Sequence, residues 1–139
     1  LKIEVINSGP KYSRILEKTN NLLHLSGGWA VSGLVEAIHR GVHSFIPSTM
    51  EVIYNEIYKL ASQGKLHEAR ELFNLILPII SFTHQHIDIS IRFSKLLRVE
   101  EALFKTSVCR GNINEFDKFQ LEEAKINIDK IIALQDKYN

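Results

Sequence analysis

Small and polar residues follow two short apolar runs near the start of the chain, and this arrangement predicts a binding site. Residues 22–25 (Leu-Leu-His-Leu) precede residues 26–28 (Ser-Gly-Gly), and residues 44–46 (Ser-Phe-Ile) precede residues 47–49 (Pro-Ser-Thr). In folds that alternate strands and helices, ligands bind at the carboxyl ends of the parallel strands. We therefore expect a functional site, if the chain has one, just after these two runs.

Other residue types that could do chemistry give weaker patterns. The chain has six histidines, but His84 and His86 are two residues apart and would not share one face of a helix. No cluster of cysteines or carboxylates completes a metal site, so none is predicted. Nothing beside Cys109 suggests a nucleophile, and the sequence contains no phosphate-binding or dinucleotide-binding glycine motif.

The first 50 residues have the pattern of alternating strands and helices. Residues 1–6 alternate apolar and charged side chains, which predicts a strand. Residues 22–25 and 44–46 are the other predicted strands, and residues 12–18 and 29–39 have helical spacing. The order is therefore β-α-β-α-β, which is typical of parallel strands connected by helices.

The remainder of the chain has the spacing of helices. An apolar stripe at helical spacing begins at Ile53 and predicts a helix that ends at Gln63 and Gly64. Three more helices are predicted at residues 66–77, 82–97 and 119–138. Pro78 falls inside an apolar pattern and should kink or end the helix there.

Composition limits the class of protein. With 139 residues, 45% of them apolar, the chain can form one domain with a moderate core. A net charge of +1 gives no electrostatic signature of nucleic-acid binding, and no apolar run approaches the roughly 18 residues that span a bilayer. The single Cys109 fits a reducing compartment, so the cytoplasm is the expected location.

Several short motifs occur together in a characteristic order. Lys2 lies in the first predicted strand with an acid, Glu4, two residues later, and residues 9–11 (Gly-Pro-Lys) follow. Further motifs are Ser26 with Gly27, Glu36 with Arg40 and Gly41, Gly64 with Glu68, Ala69 and Arg70, then Pro78, Lys105 and residues 110–113 (Arg-Gly-Asn-Ile). In this order and spacing, the whole chain resembles the C-terminal part of the dihydrodipicolinate synthase / N-acetylneuraminate lyase family.

The resemblance implies a fold and an activity. The fold would be α/β: strands 6 to 8 of a (β/α)8 barrel in residues 1–62, followed by a C-terminal helical extension packed on the barrel in residues 63–139. These enzymes form a Schiff base with pyruvate or a related 2-keto acid, without metal or organic cofactor. The resemblance further implies an aldehyde as second reactant and a homo-oligomer.

The resemblance also assigns roles to individual residues. Lys2 would be the Schiff-base nucleophile, made reactive by burial at a strand end. Ser26, Gly27 and Ile46 would line the substrate pocket. From position alone Lys2 is a solvated charge near a terminus, Ser26 and Gly27 form a turn, and Ile46 packs in a core, so both interpretations of each residue stay open.

Departures from the family pattern affect the substrate and the extent of the protein. One subgroup of the family has a lysine, an acid two residues later and then two prolines, which are replaced here by Ile6 and Asn7. Two expected glycines are replaced by Ser44 and Ser48. A full barrel needs roughly 250 residues. We therefore expect a fragment or a half-length chain that is inactive unless a second chain supplies the first five strands.

The alternative is a non-catalytic helical remnant of such a barrel, whose exposed sheet edges are closed by self-association.

Overall fold

A computed structural model describes residues 1–28, 30–111, 113 and 115–138 of the chain. Its strands are β1 (Lys2–Ile3), β2 (Ser26–Gly27) and β3 (Ser44–Phe45). A 3-10 turn (Ala30–Gly33) precedes α2, and the helices are α1 (Gly9–Lys18), α2 (Leu34–His39), α3 (Glu51–Ser62), α4 (Leu66–Thr83), α5 (Ile87–Glu100) and α6 (Lys118–Gln135). None of the helices in these described ranges is long and apolar enough to cross a membrane.

The three strands form one parallel sheet in the order β1-β2-β3. Lys2 pairs with Ser26, and Ser26 pairs with Ser44. Ile3, Gly27 and Phe45 form the neighbouring row of the register. Helices connect the strands, as parallel pairing requires, so the predicted β-α-β-α-β order is confirmed.

One face of the sheet is covered by the connecting helices. Tyr12 and Leu16 of α1 and Ala37 of α2 form a buried cluster with Leu25 and Val42. Ile3, Ile15 and Phe45 are partly buried and pack against this cluster. Burial of these apolar side chains between helix and strand is the main stabilising contribution in this part of the chain.

The chain divides into two compact units. The first comprises Leu1–Pro47 and Tyr54–Leu75, and the second comprises Ser48–Ile53 and Ile76–Asn139. The sheet, α1 and α2 belong to the first unit, and α5 and α6 belong to the second. The division of the chain into a barrel portion ending at residue 62 and a packed extension stays a prediction.

The second unit is organised around aromatic side chains and one arginine. Phe82 contacts the rings of Phe93 and Phe116 edge to face, at centroid distances of 5.8 and 5.9 Å. Arg98 forms ion pairs with Glu51 and with Glu101, the latter at 2.7 Å. Burial alone would lower the pKa of Arg98, but the hydrogen bonds and charges of the two glutamates raise it above the ordinary value.

The strands are shorter than the sequence pattern predicts, and β2 lies later in the chain. We predicted the second strand at residues 22–25, whereas β2 is Ser26–Gly27, the residues expected to form a turn. At Leu25, on the side of β3, the backbone N–H donates to the side-chain Nδ1 of His43 at 3.1 Å and not to a backbone oxygen. The first strand ends at Ile3 rather than at residue 6, since the chain turns at Asn7, which has a φ of 54°.

Several helix boundaries also differ from the predictions. Trp29, where one helix was predicted to begin, lies outside the described residues; α2 begins only at Leu34, after the cap residue Gly33 at φ −105° and ψ 22°. Pro78 was predicted to kink or end a helix; α4 does not end there and continues to Thr83. Ile76 and Ile79 are fully buried on either side of Pro78, and their burial offsets the missing backbone hydrogen bond.

The last two helices begin close to cap residues. The third helix after residue 50 was predicted at residues 82–97, but α5 begins at Ile87. His86 is extended there, and its Nδ1 accepts a hydrogen bond from the Asp88 N–H at 3.2 Å. Asp117 and Gln120 form a capping box that starts α6 at Lys118. Side-chain caps of this kind fix a helix start more sharply than an apolar stripe does.

Candidate functional site

Lys2 and Glu4 form an ion pair at the end of β1. Lys2 Nζ lies 3.0 Å from Glu4 Oε2, and the two side chains are 43% and 48% exposed. Both lie against the backbone of Gly28, where an added Cβ would be 2.8 Å from Glu4 Cδ and from Lys2 Cε. The glycine after β2 therefore leaves the space that these two side chains occupy.

The register places Lys2 and Ser26 on the same face of the sheet. Side chains alternate between the two faces along a strand. Since Ile3 and Phe45 pack on the helix-covered face, the paired residues Lys2, Ser26 and Ser44 lie on the opposite one. We call this opposite surface the Lys2 face. The structure thus brings together two of the predicted site residues.

The Lys2 face also carries a chain of polar side chains that the sequence reasoning missed. Ser26 Oγ lies 2.7 Å from Ser44 Oγ, which lies 3.2 Å from His24 Nε2. His24 precedes Ser26 by two residues, so the alternation along a strand places both on one face. That period-two spacing was the available signal, but the predicted strand ended at Leu25 and hid it.

A second histidine is held beside the first. The rings of His24 and His43 stack with their centroids 4.7 Å apart. His43 Nδ1 accepts a hydrogen bond from the Leu25 N–H at 3.1 Å, and the backbone oxygen of His43 accepts one from the Tyr58 hydroxyl at 2.8 Å. An accepting Nδ1 carries no proton, so the neutral ring of His43 has its hydrogen on Nε2.

Gly27 and Ile46 are less closely associated with Lys2. The side of Gly27 where a Cβ would lie faces the ring of Phe45, whose Cε1 atom is 2.4 Å from that position. Only the backbone of Gly27 is therefore able to line a pocket on the Lys2 face. Ile46 follows β3 and is 63% exposed. Their predicted role as pocket residues stays a prediction.

A cavity of about 360 Å³ adjoins β1. Its charged lining residues are Lys2, Glu4, Lys11 and Arg14, and its apolar ones are Ile3, Val5 and Ile15. Three cations and one carboxylate give it a net positive charge, which favours an anionic ligand. Within the described part of the chain, no group of three histidine, cysteine, aspartate or glutamate side chains is placed to hold a metal ion.

These contacts define what the site is able to do chemically. A lysine amine attacks a carbonyl carbon only when it is unprotonated. Glu4 is within hydrogen-bond reach of the Lys2 ammonium and is an acceptor for its proton. An amine with an adjacent proton acceptor, on the face that also carries the Ser26 and Ser44 hydroxyls, has the groups that carbonyl addition requires.

Comparison with solved structures identifies the fold. Dihydrodipicolinate synthase from Rhodopseudomonas palustris superimposes with a TM-score of 0.81 at 22% identity, over 94% of this chain and 44% of that one. The chain has the fold of the C-terminal part of this (β/α)8 barrel. The predicted fold class is thereby confirmed.

Two further structures show the same relationship. N-acetylneuraminate lyase from Fusobacterium nucleatum, complexed with pyruvate, matches with a TM-score of 0.76 and 20% identity over 94% of this chain and 44% of that one. A putative dihydrodipicolinate synthase family protein from Coccidioides immitis matches with a TM-score of 0.73 and 16% identity over 100% and 48%. The chain spans less than half the length of each of these structures. No protein-family model and no curated protein sequence matches it.

Proposed function

We propose that the chain is part of a lyase of the class I aldolase type, in which Lys2 forms a Schiff base with pyruvate or a related 2-keto acid. The observation that carries this proposal is the position of Lys2 in the barrel fold. It lies on a parallel strand, on the face opposite the helices, in register with Ser26. The protonated imine would withdraw electrons, so that a carbon–carbon bond next to the former carbonyl carbon forms or breaks.

The remaining parts of the proposal follow from the same fold. Ser26, the backbone of Gly27 and Ile46 would line the keto-acid pocket, and an aldehyde would be the other reactant. The first five strands would come from a further segment or a second chain, within a homo-oligomer. The proposed chemistry needs neither a metal ion nor an organic cofactor, and the proposed compartment is the cytoplasm.

Trapping of the imine tests the function directly. The assembled protein, in which the first five strands are supplied by the further segment or the second chain, is incubated with pyruvate, reduced with borohydride and digested, and the peptides are analysed by mass spectrometry. We expect the reduced pyruvyl adduct on Lys2 and its loss in Lys2→Arg. Lys11→Arg is the matched control, because Lys11 lines the same cavity. Equal labelling of several lysines, or none of Lys2, would contradict the proposal.

The open edges of the sheet favour a second candidate, a non-catalytic module that self-associates. In the ranges that the structure describes, β1 and β3 pair with β2 alone. Exposed apolar side chains flank these edges, namely Leu1 (60%), Val5 (42%), Ile6 (92%) and Ile46 (63%). Unpaired edges next to apolar side chains readily pair with another chain.

Two measurements together separate the lyase from the self-associating module. Light scattering at several protein concentrations gives the oligomeric state, and imine trapping shows whether Lys2 reacts with pyruvate. A self-associating remnant would form oligomers that Ile6→Lys dissociates, and its Lys2 would take up no pyruvate. A lyase would yield the adduct in its assembled state.

A further inference from the structure

We propose that Glu4 is the general acid and base of imine formation at Lys2. This inference rests on the proposed function and adds a catalytic residue to it. Glu4 Oε2 lies 3.0 Å from Lys2 Nζ, the atom that would attack the keto carbon. Both residues are on β1 or just after it, two positions apart, so they project to the same side.

Glu4 lies against the backbone of Gly28 and lines the cavity beside β1. The side chains of Lys2 and Glu4 lie directly over the backbone of Gly28. A Cβ at Gly28 would be 2.8 Å from Glu4 Oε1 and from Glu4 Cδ, so only glycine leaves room for them. Lys11 and Arg14 are the other charged residues that line the same cavity, and both are cations. Glu4 is therefore the carboxylate among the lining residues, and the residue that is able to accept a proton from Lys2.

The first step is proton transfer from the Lys2 ammonium to the Glu4 carboxylate. The neutral amine then attacks the carbonyl carbon of the 2-keto acid, the carbon–oxygen double bond opens, and a proton moves from nitrogen to oxygen to give a carbinolamine. Protonated Glu4 donates its proton to the carbinolamine hydroxyl, which leaves as water while the nitrogen lone pair forms the iminium bond. Of the three ammonium protons, two leave in water and one stays on nitrogen, and Glu4 is again ionised.

An ordinary surface ion pair is the structural alternative for this contact. Exposed pairs contribute little to stability, so replacing Glu4 should leave the fold intact. The two roles differ in their effect on rate. A merely structural partner of Lys2 would not set how fast the imine forms, whereas a general acid and base contributes about a hundredfold or more.

The test measures the rate of imine formation by quenching pyruvate reactions with borohydride at successive times. We expect Glu4→Gln to slow adduct formation on Lys2 about 100-fold at neutral pH. The rate of this variant should rise steadily with pH, since hydroxide replaces the missing base. Formate should restore the rate in Glu4→Ala, because it supplies a carboxylate in the vacated space. Glu56→Gln, which removes the 3.1 Å pair with Lys59, is the matched control and should be unaffected.

The possible outcomes distinguish the two proposals. The role of Glu4 would be overturned if the adduct formed equally fast in wild type and in Glu4→Gln. It would also be overturned if formate did not restore the rate in Glu4→Ala. Either result would leave the lyase function standing. Failure of the assembled wild-type protein, with the first five strands present, to form any adduct on Lys2 would overturn the lyase function and the role of Glu4 together.

Discussion

Gly27→Ala is expected to destabilise the chain by crowding the helix-covered face of the sheet. A Cβ at Gly27 would lie 2.4 Å from Phe45 Cε1, 2.6 Å from Phe45 Cδ1 and 3.2 Å from the Tyr12 hydroxyl. Tyr12 is 1% exposed and belongs to the buried cluster, so it has little freedom to move. Overpacking of this kind costs about 1–3 kcal/mol, and we expect about 2 kcal/mol.

Urea denaturation followed by circular dichroism measures the effect. With a denaturant slope of about 2 kcal/mol per molar, a loss of about 2 kcal/mol moves the midpoint by about 1 M. Gly33→Ala is the matched control: the nearest atom to its added Cβ is Glu36 Oε2 at 3.9 Å, and its φ is negative. The control should shift the midpoint by no more than about half as much, which is the cost of alanine at a helix cap.

A double mutant identifies the cause. Phe45→Leu removes part of the ring that the new methyl group would meet. If crowding is responsible, Gly27→Ala should cost at least about 1 kcal/mol less in the Phe45→Leu background. Equal costs in both backgrounds, or a loss below about 0.5 kcal/mol in the single variant, would refute the proposed packing.

Four further predictions concern other positions. Arg98→Gln should lower the free energy of unfolding by about 2 kcal/mol in urea denaturation, because the charged hydrogen bonds of a largely buried guanidinium are lost. Pro78→Ala should raise the urea midpoint by an amount equivalent to about 1–3 kcal/mol, since alanine restores a backbone donor at an exposed position inside α4. Burial lowers the pKa of His84 below its ordinary value of 6.5, so the unfolded chain binds the proton more readily. Stability should therefore fall as the pH drops below that value, and thermal denaturation between about pH 5 and pH 8 should show a smaller fall in His84→Gln. Gly28→Ala should slow borohydride trapping on Lys2 about tenfold with less than about 1 kcal/mol lost in stability, because its methyl group displaces flexible side-chain ends rather than the core.

The order of strands and helices was predictable because apolar spacing reports which side of an element is buried. The exact limits were not, because single side chains decide them. The Leu25 N–H bonds to the ring nitrogen of His43 where a strand residue would bond to a backbone oxygen, and a contact between residues 18 positions apart leaves no local pattern. Likewise, the buried isoleucines around Pro78 sustain α4 where the local rule predicts a break.

Part of the candidate site was predictable from the sequence, because residue type and strand spacing are local properties. The type of Lys2 and its place in a strand were visible, and the register then placed Ser26 beside it. The contact of Ser44 with Ser26 and His24 was not predictable, since it depends on the alignment of β2 with β3. A register is a tertiary property that composition and spacing do not specify.

The exposure of Lys2 connects the two candidate functions. A Schiff-base lysine gains reactivity from burial, because desolvation disfavours the ammonium form. In this structure the Lys2 side chain is 43% exposed. Covering the Lys2 face with further strands would bury Lys2 and Glu4 at the same time, and burial is the environment in which a Schiff-base lysine is reactive. Under the proposed function, the open edge of β1 is thus the surface at which assembly would bury and activate Lys2. Imine formation that increases with protein concentration, in step with the oligomer measured by light scattering, is what such coupling predicts. A rate per chain that is constant across the association range would show that Lys2 reacts without a partner covering it.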